Sequence, residues 1–175
     1  MTEHRLYYPT RWEAEYKRRG LVRKWLRDYP SLYRPTMAHT PHPKTLSSRL
    51  KTLDLFAQYA LQYLLREQEI HSITWYTLAN VDRNAKNRRY IDKCWIIMRR
   101  VMKRDFSKLQ RAIREARFKD FSGEPDLFCW DTKGHWFFAE AKRLDRLGKH
   151  QKRWFGLSRR VLGRRGIVRV YRLVS

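Results

Sequence analysis

Apolar positions recur along this chain at two spacings, and the change from one to the other marks its elements. Trp12 to Arg27 is rich in helix formers, and Pro30 stops it. Residues 29–44 carry Pro30, Pro35, Pro41 and Pro43, which predicts a loop and the best candidate boundary. From Thr45 to Glu69, the positions Leu50, Leu53, Ala57, Ala60, Leu61 and Leu64 fall at helical spacing, predicting an amphipathic helix. Ser72 to Leu78 reads as a short strand or extended piece, and Asn80 to Arg89 as a polar, exposed segment. Helices are predicted again at Tyr90 to Met102, through Ile91, Trp95, Met98 and Met102, and around Phe106 to Ala116, through Leu109 and Ile113.

The period then shortens. Phe128 to Trp130 and Trp136 to Phe138 are β-favouring runs, separated by the turn signals of Asp131-Thr132-Lys133-Gly134. They predict a β-hairpin. A helix follows from about Gly148 to Leu162, with Leu147, Gln151, Trp154, Phe155, Val161 and Leu162 broadly on one side. Gly163 and Gly166 punctuate, and Ile167 to Val174 returns as a strand. Helix, hairpin, helix, strand predicts an α/β core, a small mixed sheet flanked by helices. The expected division is a helical N-terminal region over 1–104, part of or packed on the core, and the core itself over 105–175.

The hairpin carries the candidate chemistry. Strand side chains alternate faces, so Glu140 and Lys142 share one and Ala141 points the other way. If Trp130 pairs with Trp136, then Phe128 meets Phe138 and Asp126 meets Glu140, about 5 Å apart on one face. A shift of one residue would lose this arrangement. Two adjacent carboxylates repel unless a cation lies between them. Hard oxygen ligands suit Mg²⁺ or Mn²⁺. Lys142 can hold a water or neutralise charge developing on a phosphorus atom. Gln151 inside an otherwise apolar helix stripe supports a role at the same site.

Charge narrows the substrate class. Forty Lys and Arg face seventeen Asp and Glu, a formal net charge of +23, which attracts a polyanion. Nucleic acid is the first to consider and a membrane surface the second. The 42% hydrophobic content indicates a folded domain rather than a basic tail. Lys149, Lys152 and Arg153 on the helix after the hairpin, with Arg114 and Arg117 on the helix before it, are the candidate phosphate contacts. Cys94 and Cys129 lie in apolar runs without a CxxC pattern, as expected of buried thiols in a reducing, intracellular compartment. His39 and His42 lack cysteine partners, so zinc is not expected. Neither a run of about eighteen apolar residues nor a signal-like N-terminus is visible, so a membrane span or secretion is not expected.

Gly123-x-Pro125-Asp126-Leu127, Trp130-Asp131, Phe138, Glu140-x-Lys142, Asp145-Arg146-Leu147, Gln151 and Trp154-Phe155 together resemble the VRR-NUC family. This is a branch of the PD-(D/E)xK nuclease superfamily that includes the nuclease domain of the Fanconi-associated nuclease and small stand-alone viral and bacterial proteins. The resemblance covers about residues 115–174. It implies a restriction-endonuclease-like core and a Mg²⁺- or Mn²⁺-dependent deoxyribonuclease in DNA repair, acting on structures such as flaps or four-way junctions. Asp126 and Glu140 would be metal ligands, with the backbone carbonyl of Ala141 as a third. Lys142 would be the catalytic lysine, and Gln151 the glutamine near the site. The family usually has valine or isoleucine where Ala141 stands, and the step from Glu140 to Gln151 is one residue shorter than in its pattern. An upstream glutamate is also implied. Glu13, Glu15, Glu67, Glu69 and Glu115 are the candidates, with Glu13 or Glu15 favoured by their distance upstream. Two other readings stay open: a non-catalytic nucleic-acid-binding module that has kept the fold, and a basic structural protein. A homodimer and a protein partner for the N-terminal half are open as well.

Overall fold

The computed structural model describes residues 2–18, 20–29, 55–74, 76–78, 85–116 and 123–175. In chain order the elements are β1 (Thr2–Tyr7), α1 (Arg11–Lys17), α2 (Gly20–Asp28), α3 (Phe56–Glu67), β2 (His71–Thr74), α4 (Ala85–Met102), α5 (Arg104–Glu115), β3 (Leu127–Trp130), β4 (Trp136–Lys142), α6 (Lys149–Leu162), a 3₁₀ turn (Gly163–Arg165) and β5 (Val168–Val174). The strands form one five-stranded mixed sheet in the order β1-β5-β4-β3-β2. β1, β5 and β4 are parallel, while β3 runs antiparallel to both β4 and β2.

Helices cover both faces. Phe137, Ala139 and Ala141 of β4 pack with Trp12 and Tyr16 of α1, Leu21 and Trp25 of α2, and Phe56 and Leu61 of α3. Phe138 of the same strand packs with Met98 of α4, Leu109 of α5 and Trp154 of α6. This two-sided burial explains why Trp136-Phe137-Phe138-Ala139 shows no polar alternation. Glu140 and Lys142 continue the face of Phe138, toward α6. The mixed α/β sheet flanked by helices is the fold class expected from the sequence.

Several predicted elements differ. The first 104 residues supply β1 and β2 to the sheet in addition to helices α1–α4. β1 precedes the first predicted helix. Its sequence, Thr-Glu-His-Arg-Leu-Tyr, carries no hydrophobic alternation, as a polar edge strand need not. The helix predicted over Trp12–Arg27 is two helices, α1 and α2. Trp12 and Tyr16 must face the same core as Leu21 and Trp25. In one unbroken helix Tyr16 and Leu21 would point about 140° apart, and the break realigns them. α3 begins at Phe56 because Leu55 is in the left-handed conformation, φ 66°; Leu50 and Leu53 of the predicted stripe lie outside the described residues. α4 starts five residues ahead of Tyr90, inside the segment read as polar and exposed. No helix among the described residues is long and apolar enough to cross a membrane.

Candidate active site

The hairpin register is the one on which the site argument depended. Trp130 pairs with Trp136 and Phe128 with Phe138, and the ladder ends at Leu127 and Ala139. Asp126 stands one residue outside β3, where its carboxylate replaces the missing backbone partner. The Ala141 N–H donates to Asp126 Oδ2 at 2.9 Å. The Ala141 side chain lies in the opposite core, so only its backbone belongs to the site.

Glu140 is 1% exposed, an expensive position for a carboxylate. Lys142 Nζ lies 3.0 Å from Glu140 Oε1 and 2.8 Å from Asp145 Oδ2. Gln151 Nε2 donates to the same Glu140 oxygen. The amide orientation follows from its other end: the Gly148 N–H at the start of α6 donates to Gln151 Oε1 at 2.9 Å. Gln151 is thus the N-terminal cap partner of α6 and a ligand of Glu140 at once. Glu140 Oε2 is buried with no hydrogen-bond partner.

These surroundings shift the titrations. Burial raises Asp126 to about 6, against the pull of the Ala141 N–H and Lys142. Burial, and then repulsion from Asp126, raises Glu140 to about 8, with Lys142 offsetting only part. The two acids behave as a pair holding a proton near neutrality. Burial alone would lower Lys142, but the carboxylates of Asp145 and Glu140 outweigh it, so the ammonium is reinforced.

Local sequence builds this geometry. Gly123 has φ +95°, and a Cβ there would stand 2.4 Å from the His150 carbonyl oxygen. Only glycine lets the approach to β3 touch the first turn of α6 so closely. The Asp126 segment is also tied from the side. Tyr76 Oη donates to the Pro125 carbonyl at 2.9 Å, and the Leu78 N–H to Glu124 Oε1 at 2.7 Å. Trp95 Nε1 of α4 donates to the Thr77 carbonyl at 2.6 Å. Trp154 of α6 stands edge-on to Phe138 at 4.9 Å, docking the helix on the site face.

The structure brings Asp126, Glu140, Lys142 and Gln151 together and leaves the upstream glutamates elsewhere. Glu13 accepts from Arg143 Nη2 at 2.6 Å and from Tyr8 Oη at 2.5 Å. Arg143 lies over the Phe56 ring, on the sheet face opposite Glu140. Glu15 pairs with exposed Arg11 at 3.7 Å. The favoured pair therefore sits across the sheet, because α1 buries Trp12 and Tyr16 there. Glu67 ends α3 on that same side, Glu69 follows it, and Glu115 is exposed at the end of α5. Asp145 is the site residue to which sequence reasoning gave no role. Its signal was the three-residue step from Lys142.

The donor chemistry suits a hard divalent cation. Two carboxylates face each other, one carboxylate oxygen is buried and unpartnered, and both acids resist ionising together. Among the described residues no group of three or more His, Cys, Asp and Glu gathers for a metal. A cation here would draw its remaining ligands from backbone and water.

Of the expected phosphate contacts, Lys149, Lys152 and Arg153 are exposed on α6 and Arg114 on the adjacent α5. Arg153 Nη2 also donates to the Ala116 carbonyl at 3.0 Å, tying the two helices together. Arg117 lies outside the described residues. No protein-family model, curated protein or solved structure compared with the chain matches it.

Proposed function

We propose that this chain is a metal-dependent DNA nuclease with a PD-(D/E)xK core, hydrolysing phosphodiester bonds. The observation that carries the proposal is the cluster of buried Glu140 and Lys142 with half-buried Asp126, which leaves one Glu140 oxygen unpartnered in a chain of net charge +23. The order α5, β3–β4 hairpin, α6, β5 supports the finer fold reading.

A Mg²⁺ or Mn²⁺ ion held by Asp126, Glu140 and the Ala141 carbonyl would supply Lewis acidity and a more acidic water. The chain's own residues do the positioning. Gln151 fixes Glu140 Oε1 and leaves the buried Oε2 without a partner, the oxygen a cation would take. Asp145 and Glu140 keep Lys142 protonated, ready to stabilise negative charge as water adds to phosphorus. The phosphorus–oxygen bond to the leaving sugar then breaks, and that oxygen takes up a proton. Lys149, Lys152 and Arg114 would contact backbone phosphates, giving affinity without sequence information. Selectivity would then come from DNA shape, and the family resemblance adds flaps and four-way junctions. A non-catalytic binding module is the second reading, favoured by the placement of Glu13 across the sheet.

The test is cleavage of labelled single-stranded, duplex, flap and four-way-junction DNA with Mg²⁺, Mn²⁺ or EDTA. Wild type should cut only with metal, and Asp126→Ala should bind DNA but not cut it. Equal cutting by the variant would refute the site. Binding without cutting under either metal would establish the second reading.

A further inference from the structure

A cleft of about 760 Å³ opens beside α6 at a distance from the carboxylates, and no carboxylate lines it. Its lining combines the cations Lys152, Arg159 and Arg164 with an apolar surface of buried Phe155 and exposed Ile167. None of the three cations has an ion-pair partner among the described residues. Ile167 is 45% exposed, unusual for a large aliphatic residue. The volume is that of a small-molecule or nucleotide site.

Glycine makes the cleft. Gly156 lies in the interior of α6, where glycine destabilises a helix relative to alanine. No packing demand explains it, because a Cβ at Gly156 would meet nothing within 4 Å. Gly163, also in the lining, is glycine for its backbone, since it caps α6 at φ +58°; a Cβ there would likewise meet nothing within 4 Å. The missing Cβ volume is open space beside the apolar surface.

We infer that this cleft binds an unpaired nucleotide of a single-stranded nucleic acid, its phosphates on Lys152, Arg159 and Arg164 and its base against Phe155 and Ile167. Cations beside an apolar surface match the two halves of a nucleotide. Position agrees. Lys152 follows Gln151 directly, and Phe155 and Arg159 lie about 6 and 12 Å farther along α6. Val168, also in the lining, pairs with Phe138, two residues before the Val170–Glu140 pair. A strand crossing the carboxylates would run on into the cleft. The inference rests on the nuclease proposal only for the identity of the polyanion.

The test is binding in EDTA of a labelled oligothymidine and of a blunt duplex, with wild type, Gly156→Leu and Ile167→Ser. Leucine fills the open space, and serine removes apolar surface at an exposed position. Both variants should weaken oligothymidine binding about tenfold and duplex binding less than twofold. Gly156→Ala should melt higher than wild type, confirming that glycine serves no packing purpose. An unchanged ratio of single-strand to duplex affinity in both variants would overturn the inference. So would a loss seen only on phosphatidylserine vesicles, which would assign the cleft to a membrane surface. Because the readout is binding without metal, it stands apart from cutting. A protein that never cuts but shows the shifted ratio would lose the nuclease proposal and keep this one.

Discussion

Replacing Glu140 by glutamine should make the protein more resistant to a rise in pH. Glutamine keeps the shape and the hydrogen-bonding oxygen of the protonated acid. In the wild type, burial and the neighbouring Asp126 hold Glu140 up at about 8, against an ordinary value of 4.5. The folded protein therefore keeps a proton that the unfolded chain releases. Stability is fully present below the unfolded value and is lost as pH rises through the folded one. Each pH unit in that window costs about 1.4 kcal/mol per proton retained. Between pH 5 and pH 7 the loss from Glu140 is on the order of 3 kcal/mol. Asp126, raised to about 6, adds a loss of the same sign at the acid end. His71 opposes it, since burial and Arg66 lower its pKa. His71 is common to both proteins, so the difference between them isolates the site. Urea unfolding at pH 5, 6 and 7 in EDTA measures it. Glu140→Gln should gain on the wild type by roughly 3 kcal/mol over this range. Mg²⁺ should narrow the gap by binding the ionised pair. Parallel pH profiles would refute the claim that Glu140 is held protonated by its surroundings.

Other expectations follow from single contacts. Gln151→Ala removes both the donor to Glu140 and the partner of the Gly148 N–H; Mg²⁺ needed for half-maximal cleavage should rise about 10- to 100-fold. Gly123→Ala places a Cβ against the His150 carbonyl at positive φ, and should cost more than about 1 kcal/mol in a urea melt. Exchanging Lys152 and Arg153 together for glutamine should weaken DNA binding and lower the slope of log affinity against log salt by up to about 2. An unchanged slope would show that this side of α6 does not face the phosphates.

The hairpin and its acids were legible in the sequence because local rules fix them. A turn set by Asp131 and Gly134 leaves one register in which Trp130 meets Trp136, and period two does the rest. The Asp131 carboxylate accepts the Lys133 and His135 N–H groups at 2.9 Å each, so the turn is closed by its own side chain. Gln151 was legible because a glutamine in an apolar stripe needs a polar partner, and Glu140 is that partner.

What the sequence did not reveal depends on which side of the sheet each helix covers. Distance along the chain favoured Glu13, but α1 carries Trp12 and Tyr16 into the core opposite the site. No periodicity within α1 could reveal this, because an amphipathic helix shows which of its faces is buried and not what buries it. The information lies in β4, whose odd and even residues meet different helices. Ala139 and Ala141 are small where α1–α3 press on the sheet, while Glu140 and Lys142 occupy the other face beside the N-terminus of α6. Arg143, just past the end of β4, pairs with Glu13 on the face of α1–α3. One strand therefore carries the candidate chemistry on its even positions and the anchor of the N-terminal helices on its odd ones. A change at Glu13 should then act through stability rather than chemistry. Glu13→Gln weakens the pair with Arg143, both partners about three-quarters buried, and should lower the melting temperature without changing the metal requirement for cleavage. A raised metal requirement would instead place Glu13 in the site.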